Sequence, residues 1–416
     1  MSLCFTMIVK NEAEVIQRCL RSVKPYIDTY SISDTGSTDN TMELIQEELA
    51  GFPGVITSDP WEDFSTNRNL AFSRCVGDYV LSLDADETLV PTGGPLILDP
   101  QFDAFSLRYN IPDIDYWMVK IVRNDPRWKF VNKVHEALTF DGTPQYGKIE
   151  IFRFQNFFDS HRNKLGDKFE RDLKVLETEA QTPRNVFYHA RTLADLGKNE
   201  EAIKKFHERA AMGGWDQEVY YSLWKAADLM GSEGDFPEIA GALYKAYSYR
   251  PTRYEALVKL CRLLNQRKRY DESYRLSLVN PKPTTDYLFA DNQTEWQIYF
   301  EHAHSAERLG LTDEAKEYYG RVSEIASHWE MPAIFIDLSQ AYYRAEHWQE
   351  CIDASRKALE LEPGFAKAFN NICAAYNKMG NFEEGKIAGE EAVRLDPANQ
   401  LYKNNLKWSI DELNKK

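Results

Sequence analysis

The chain predicts two architectures in succession. Residues 1–165 read as an α/β domain on a mainly parallel sheet, and residues 166–416 as an all-α helical solenoid. Three observations carry this reading. Short apolar runs alternate with amphipathic stretches up to about residue 90. From about Lys164 onward the apolar residues keep helical spacing almost without a break. Near its C-terminal end the chain matches itself at a 34-residue spacing.

Leu3–Val9 is continuously apolar, the pattern of a strand buried on both faces. A helix is predicted from about Glu12 to Val23, because Val15, Ile16, Cys19, Leu20 and Val23 share one stripe and Pro25 stops it. Tyr30–Asp34 reads as a strand, Thr41–Leu49 as a helix and Val55–Thr57 as a strand. Ser65 or Thr66 is expected to cap a further helix, and Tyr79–Leu83 is another buried strand. Strands separated by helices need crossover connections, so they pair in parallel. From Phe105 to Phe154, segments such as "YWMVKIVR" and "WKFVNKVHEALTF" predict mixed or antiparallel strands.

In the helical half, Pro363 and Pro397 lie 34 residues apart. Superposing them matches Tyr342 with Tyr376, Trp348 with Phe382, Ala354 with Ala388, Ala358 with Ala392 and Leu361 with Leu395. Small residues where helices cross and Pro at the repeat end are the signature of tetratricopeptide repeats, clearest over 332–399. Such repeats stack helix pairs into a concave surface. Recognition of an acceptor, or a homodimer contact, is expected there.

A net charge of −15 argues against general affinity for nucleic acid or anionic membrane. The six cysteines are scattered without a CxxC pair, which suits free thiols in a reducing compartment. "MSLCFTMIVKNE" lacks a leader pattern, and no run reaches the roughly 18 apolar residues of a membrane span. The expectation is a cytoplasmic protein.

In open α/β sheets, ligands bind beyond the carboxyl ends of the strands. Those ends carry "VKNE" (Asn11, Glu12), "SDTGSTDNT" (Asp34), "WEDFSTNRN" (Asp63, Arg68) and "DADE" (Asp84, Asp86, Glu87). Alone, an Asp-x-Asp is more often a solvated strand end. With four polar clusters on one rim, it becomes a site for Mg²⁺ or Mn²⁺, which take oxygen ligands and bridge carboxylates to phosphates.

"MIVKNEAEVIQRCLRSVKPYID", "ISDTGSTDNT" and "PWEDFSTNRNLAFSRCVGDYVLSLDADE" resemble, in order and spacing, the N-terminal signatures of family-2 glycosyltransferases. "RNDPRWKFVNKVHEAL" is similar to a segment of the branch that carries C-terminal tetratricopeptide repeats. The resemblance implies a GT-A, Rossmann-like catalytic domain and inverting transfer from a nucleotide-diphosphate sugar, usually a UDP-sugar. It implies that Asp34 meets the base, that Thr6, Asn11 and Glu12 form the first-strand part of the nucleotide pocket, and that Asp63 and Arg68 border it. Asp84 and Asp86 match the metal motif, with Asp86 the direct ligand and Asp84 toward the donor. Glu87 is expected to be structural.

Inversion needs a base on the acceptor side. Glu136 in "VHEA" is the leading candidate, with Asp113 and Asp115 in "IPDIDYW" as rivals; His135 would help hold acceptor or sugar phosphate. The chain departs from the family where a His in an Ile-x-His-x-Gly setting is expected. "IEIFRFQNF" stands there instead, with Arg153 as a fixed cation for the diphosphate. The acceptor is expected to be a protein, peptide or saccharide. The competing reading is a catalytically silent nucleotide-sugar-binding scaffold. Nucleotidyl transfer is disfavoured because "MIVKNEAE" lacks a Gly-rich phosphate loop.

Overall fold

The computed structural model describes residues 1–109, 117–231, 234–278, 294–328 and 330–415. They fall into two compact units, Met1–Ala242 and the described residues from Leu243 onward. Strands give way to helices after Asn156, while the first compact unit continues through the following helices.

The first unit opens with β1 (Leu3–Val9), α1 (Ile16–Val23), β2 (Thr29–Asp34), α2 (Thr41–Glu48), β3 (Gly54–Ser58), α3 (Phe64–Ser73) and β4 (Tyr79–Ser82). There follow β5 (Glu87–Pro91), β6 (Ala104–Tyr109), β7 (Trp117–Arg123), β8 (Trp128–Val131), β9 (Ala137–Phe140) and β10 (Tyr146–Asn156). Eight strands form one sheet in the order β3-β2-β1-β4-β7-β6-β10-β5; β8 and β9 make a separate hairpin. The β3-β2-β1-β4 half is parallel. β7 pairs antiparallel with β4 and β6, β10 runs parallel to β6, and β5 runs antiparallel to β10.

Alternation along β1 explains its unbroken apolar run. Leu3, Phe5, Met7 and Val9 enter one core with Ile16, Cys19 and Leu20 of α1 and Ile45 of α2. Cys4 enters a second core with Phe72 of α3 and Trp128 of β8. Both faces are covered, and each large side chain fully buried this way contributes about 1.5–3 kcal/mol.

Three local details differ from expectation. α1 starts at Ile16 rather than Glu12, because Asn11 adopts φ 58° and the Glu12 carbonyl accepts from both Val15 and Ile16. α3 is capped by Asp63, not by Ser65 or Thr66. Glu87–Pro91 forms β5, a strand that owes its existence to pairing with β10, 60-odd residues later in the chain.

The unit continues through α4 (His161–Lys164), α5 (Lys168–Leu176), α6 (Pro183–Asp195), α7 (Asn199–Ala211) and α8 (Asp216–Leu229). Leu173, Phe187, Ala190, Phe206 and Ala226 form their common core. In the second unit, Pro332–Arg344 with Trp348–Leu361 is followed by Ala366–Met379 with Phe382–Leu395, each helix starting 34 residues after its counterpart. A Cβ at Gly389 would stand 3.0 Å from the Cys373 thiol and 3.1 Å from Leu406, so a larger residue at this crossing would make its neighbours shift. Among the described residues, no helix is long and apolar enough to cross a membrane. All six cysteines are buried free thiols.

Candidate active site

The site forms where β1, β2 and β4 end. The left-handed Asn11 ties the first two of these loops together: its Oδ1 accepts from the Thr38 amide at 2.7 Å, and its own amide donates to Ser37 Oγ at 3.0 Å. Asp34, the last residue of β2, accepts from the amides of Gly36 and Ser37 at 3.2 Å. Gly36 takes φ 103°, which a residue with a Cβ rarely adopts.

Past β4 the chain turns through Asp84-Ala85-Asp86 into β5. The Glu87 amide donates to the Asp84 carbonyl, and the Asp84 amide donates to Glu87 Oε2, both at 3.0 Å. The turn sorts the carboxylates. Glu87 points inward to Lys120 of β7, whose Nζ donates to both its oxygens at 2.7 and 2.8 Å. The Asp84 side chain is 46% exposed and faces outward. Asp86 is 3% exposed, and its Oδ2 accepts long bonds from the Ser160 amide at 3.3 Å and Asn163 Nδ2 at 3.4 Å.

Arg68 of α3 organises the centre. Its Nη2 donates to Asp84 Oδ1 at 2.5 Å, and its Nε donates to Glu136 Oε1 at 2.7 Å. Burial disfavours the guanidinium charge, but Asp84 and Glu136 outweigh this and hold its pKa above the ordinary value. Partial loss of water likewise opposes ionisation of Asp84, and Arg68 with Lys120 overcomes it, lowering that carboxyl. Asp86 has no ion pair among the described residues: burial, then Asp84, pushes its pKa up. Glu12, which accepts from the His161 amide at 3.1 Å, is pushed up to about 7 by burial, with Asp86 and Asp84 adding to the effect.

Buried carboxylates short of positive charge are the chemistry a hard dication compensates. Asp86 fits such an ion, with Asp84, already paired with Arg68, close enough to raise its pKa. Among the described residues no three His, Cys, Asp or Glu side chains converge as a ready-made metal cage. Mg²⁺-type ions complete their shells with water and substrate phosphates.

The loop bearing Glu136 is held from the helical side. Asn132 and His135 take left-handed φ values of 71° and 52°. Arg184 of α6 donates to the His135 carbonyl at 3.1 and 3.2 Å, and Lys133 pairs with Glu179 at 3.0 Å. The His135 ring stacks on Tyr188, centroids 4.1 Å apart, with Nε2 4.0 Å from Asp172. Burial, then Arg191, Lys168, Arg184 and Arg162, lowers the His135 pKa to about 3.

Asn11, Glu12, Asp34, Arg68, Asp84, Asp86 and Glu136 thus sit on the elements that build this rim. Thr6 and Asp63 are engaged elsewhere. Thr6 lies within β1, 2% exposed, with its hydroxyl inside the sheet rather than on the rim. Asp63 is occupied as the α3 cap, accepting from the Thr66 amide at 2.8 Å and from the Ser65 and Thr66 hydroxyls. Arg153 stands between the core residues Phe152 and Phe154 of β10. Strand alternation sets it on the sheet face opposite those two rings, the face that α3 and the β8–β9 hairpin cover. The rivals Asp113 and Asp115 lie outside the described residues.

Lys120 was missed, although one charge inside the apolar run "YWMVKIVR" is a signal that could have found it. The Ser160 amide lies just before the basic "HRNK" stretch, and the His161 amide and Asn163 lie within it; main-chain donors leave no mark in a sequence.

Residues 4–99 match the family described as Glycosyl transferase family 2, and residues 297–328 and 366–399 match the tetratricopeptide repeat. The chain is 25% identical over 347 residues to the SPbeta prophage-derived glycosyltransferase SunS of Bacillus subtilis, covering 76% of this chain and 74% of that protein. It is 45% identical over 89 residues to a TPR repeat-containing protein of Synechococcus elongatus, 21% of each chain. It is 39% identical over 83 residues to an uncharacterized glycosyltransferase of Rickettsia felis, 20% of this chain and 28% of that one. The last two relatives are thus matched over under a third of their own lengths.

Proposed function

We propose that the family 2 glycosyltransferase domain of this chain, joined to tetratricopeptide repeats, transfers a sugar with inversion from a UDP-sugar to a protein, peptide or glycan acceptor. One observation carries the reading. Arg68, itself buried, holds Asp84 on one side and Glu136 on the other, so the donor-side turn and the acceptor-side loop are set by a single guanidinium.

In this reading Asp34 accepts from an N–H of the base at the end of β2. Asn11 fixes the two loops that flank the nucleotide. Asp84 and Asp86 hold a Mn²⁺ or Mg²⁺ ion, which when bound neutralises charge on the leaving diphosphate. Arg68 fixes the Glu136 carboxylate, using Oε1, and Glu136 takes the proton of the acceptor hydroxyl or thiol. The acceptor atom bonds to the anomeric carbon, the carbon–oxygen bond to the diphosphate breaks, and UDP leaves. Lys120 neutralises Glu87 behind the turn and so keeps the carboxylates in position. The buried thiols suit a reducing cytoplasm. The repeats supply the surface for acceptor or for a second copy.

The test is calorimetry with UDP and Mn²⁺, followed by UDP release from a panel of UDP-sugars. Binding that requires Mn²⁺ and is lost in Asp86→Ala is expected, with Glu136→Gln binding donor but turning over at least about 100-fold more slowly. UDP binding indifferent to Asp86→Ala would sink the reading.

A further inference from the structure

The segment that follows β10 lies against the donor-side turn and brings a cation to it. The Phe157 amide donates to the Asp86 carbonyl at 3.1 Å, and the Ser160 amide and Asn163 Nδ2 reach Asp86 Oδ2. Two ion pairs, Arg18 with Asp159 at 2.6 Å and Lys164 with Glu14, tie the same segment to α1 and the residues before it. Asn163 is held from its other end as well. Its Oδ1 accepts from Nζ of Lys168, the first residue of α5, at 3.2 Å. Lys168, Asn163 and Asp86 thus form one hydrogen-bonded row, which ends on the carboxylate suited to a dication.

The cations around this turn differ in what they already hold. Arg68 pairs with Asp84 and Glu136, Lys120 with Glu87, and Arg162 with Asp172. Lys168 is half-buried, and among the described residues it forms no ion pair; its hydrogen bond goes to a neutral amide oxygen. Its charge reaches both sides of the site. Against the partial loss of water at Asp84 it joins Arg68 and Lys120 in favouring the carboxylate, and after burial and Arg191 it keeps the His135 ring neutral. Asp172 and Asp195 feel the charge too, without pairing to it.

A dication and Arg68 would together be balanced by Asp84, Asp86 and Glu136, which leaves the charge of a sugar diphosphate to be met. An ammonium on a flexible stem meets phosphate as a point charge. Asp34 lies at the base end of the rim, whereas Lys168 acts on the loop of His135 and Glu136. The phosphate that comes to Lys168 is therefore the one that bears the sugar.

We propose that Lys168 binds the β-phosphate of the nucleotide sugar through Nζ, with Asn163 setting the position of the ammonium. This role rests on the proposed glycosyl transfer and adds a catalytic residue to it. It is the role that the family resemblance gave to Arg153. As the bond from the anomeric carbon to the β-phosphate oxygen breaks, its electron pair stays on that oxygen. The ammonium stabilises the charge gathering there and keeps its own proton.

The test is calorimetry on the full chain with UDP and UMP in the presence of Mn²⁺, with a thermal melt of each variant. Lys168→Gln should weaken UDP binding at least about ten-fold and UMP binding less than about three-fold, because UMP lacks the second phosphate. Lys168→Arg should recover most of the UDP affinity, and the gap between the two nucleotides should narrow as salt is added. Should Lys168→Gln fail to fold, Lys168→Met, which keeps an apolar stem without the charge, is read in its place. Equal losses for UDP and UMP, the mark of a merely structural role, or unchanged UDP binding in the uncharged variants would overturn the proposal. An unmodified chain that binds GDP or dTDP in place of UDP would correct the uridine reading alone, and the comparison then uses that diphosphate and its monophosphate. An unmodified chain that binds no nucleoside diphosphate would overturn the donor reading and the role of Lys168 with it.

Discussion

Arg68 shows how much one residue can decide. Its two carboxylate partners come from elements 16 and 68 residues away in sequence, and its own side chain is almost wholly enclosed. Removing one member of a buried ion cluster leaves the others uncompensated, at a cost of about 3–5 kcal/mol. Because Asp84 is half open to solvent, Arg68→Gln should sit at the lower end, about 3 kcal/mol by chemical denaturation, and UDP release should fall at least about 100-fold. Arg68→Lys should recover stability only in part, since an ammonium cannot reach both carboxylates with a rigid fork. A variant as stable and as active as the original would remove Arg68 from the centre of the site.

His135 makes a second prediction, in pH. Its pKa is about 3 in the folded chain, against an ordinary value near 6.5 when unfolded. The unfolded chain therefore takes up a proton below about pH 6.5 that the folded chain refuses. Stability from this group is whole above that pH and is lost as pH falls from about 6.5 toward 3. Between pH 6.5 and 4.5 the loss is about 2 kcal/mol, allowing for the part of the ring left in solvent. Melting temperature followed across that range should fall less steeply in His135→Gln.

At the level of elements, the sheet half was legible because strands buried on both faces leave unbroken apolar runs, and helices leave a 3.6-residue stripe. The same rules missed the start of α1, since a left-handed Asn11 stops the helical pattern from propagating back to Glu12. They missed β5, whose five residues pair with β10 and carry no period of their own. The family resemblance gave Asp63 to the nucleotide pocket, and its oxygens accept from the first turn of α3. Asp63→Ala should cost about 1 kcal/mol of stability, measured by urea titration. Because α3 carries Arg68, turnover should fall several-fold with it; stability lost without any change in turnover would separate the cap from the site.

On the scale of the molecule, the boundary read from composition and the boundary of compactness are different things. Strands end at Asn156, but the Glu136 loop is clasped by Asp172, Arg184 and Tyr188, all on helices beyond it. A chain ended after Gly231 should therefore fold and bind UDP, whereas one ended after Leu165 should lose cooperative melting and UDP binding together. Circular dichroism melts and calorimetry on the two truncations decide this; equal behaviour would show that the helices do not support the loop.

By itself the sequence determined the order of strands and helices, the placing of Asp84 and Asp86 at a strand end, and the 34-residue repeat. All of these are local or periodic properties, written within a few turns of chain. Only the tertiary structure decided which charges meet. Glu12 accepts from the His161 amide across 149 residues, Glu87 finds Lys120 on β7, and Arg68 joins Asp84 to Glu136. Such meetings depend on strand order and register, where a shift of one residue reverses a side chain, and no short stretch of sequence carries that information.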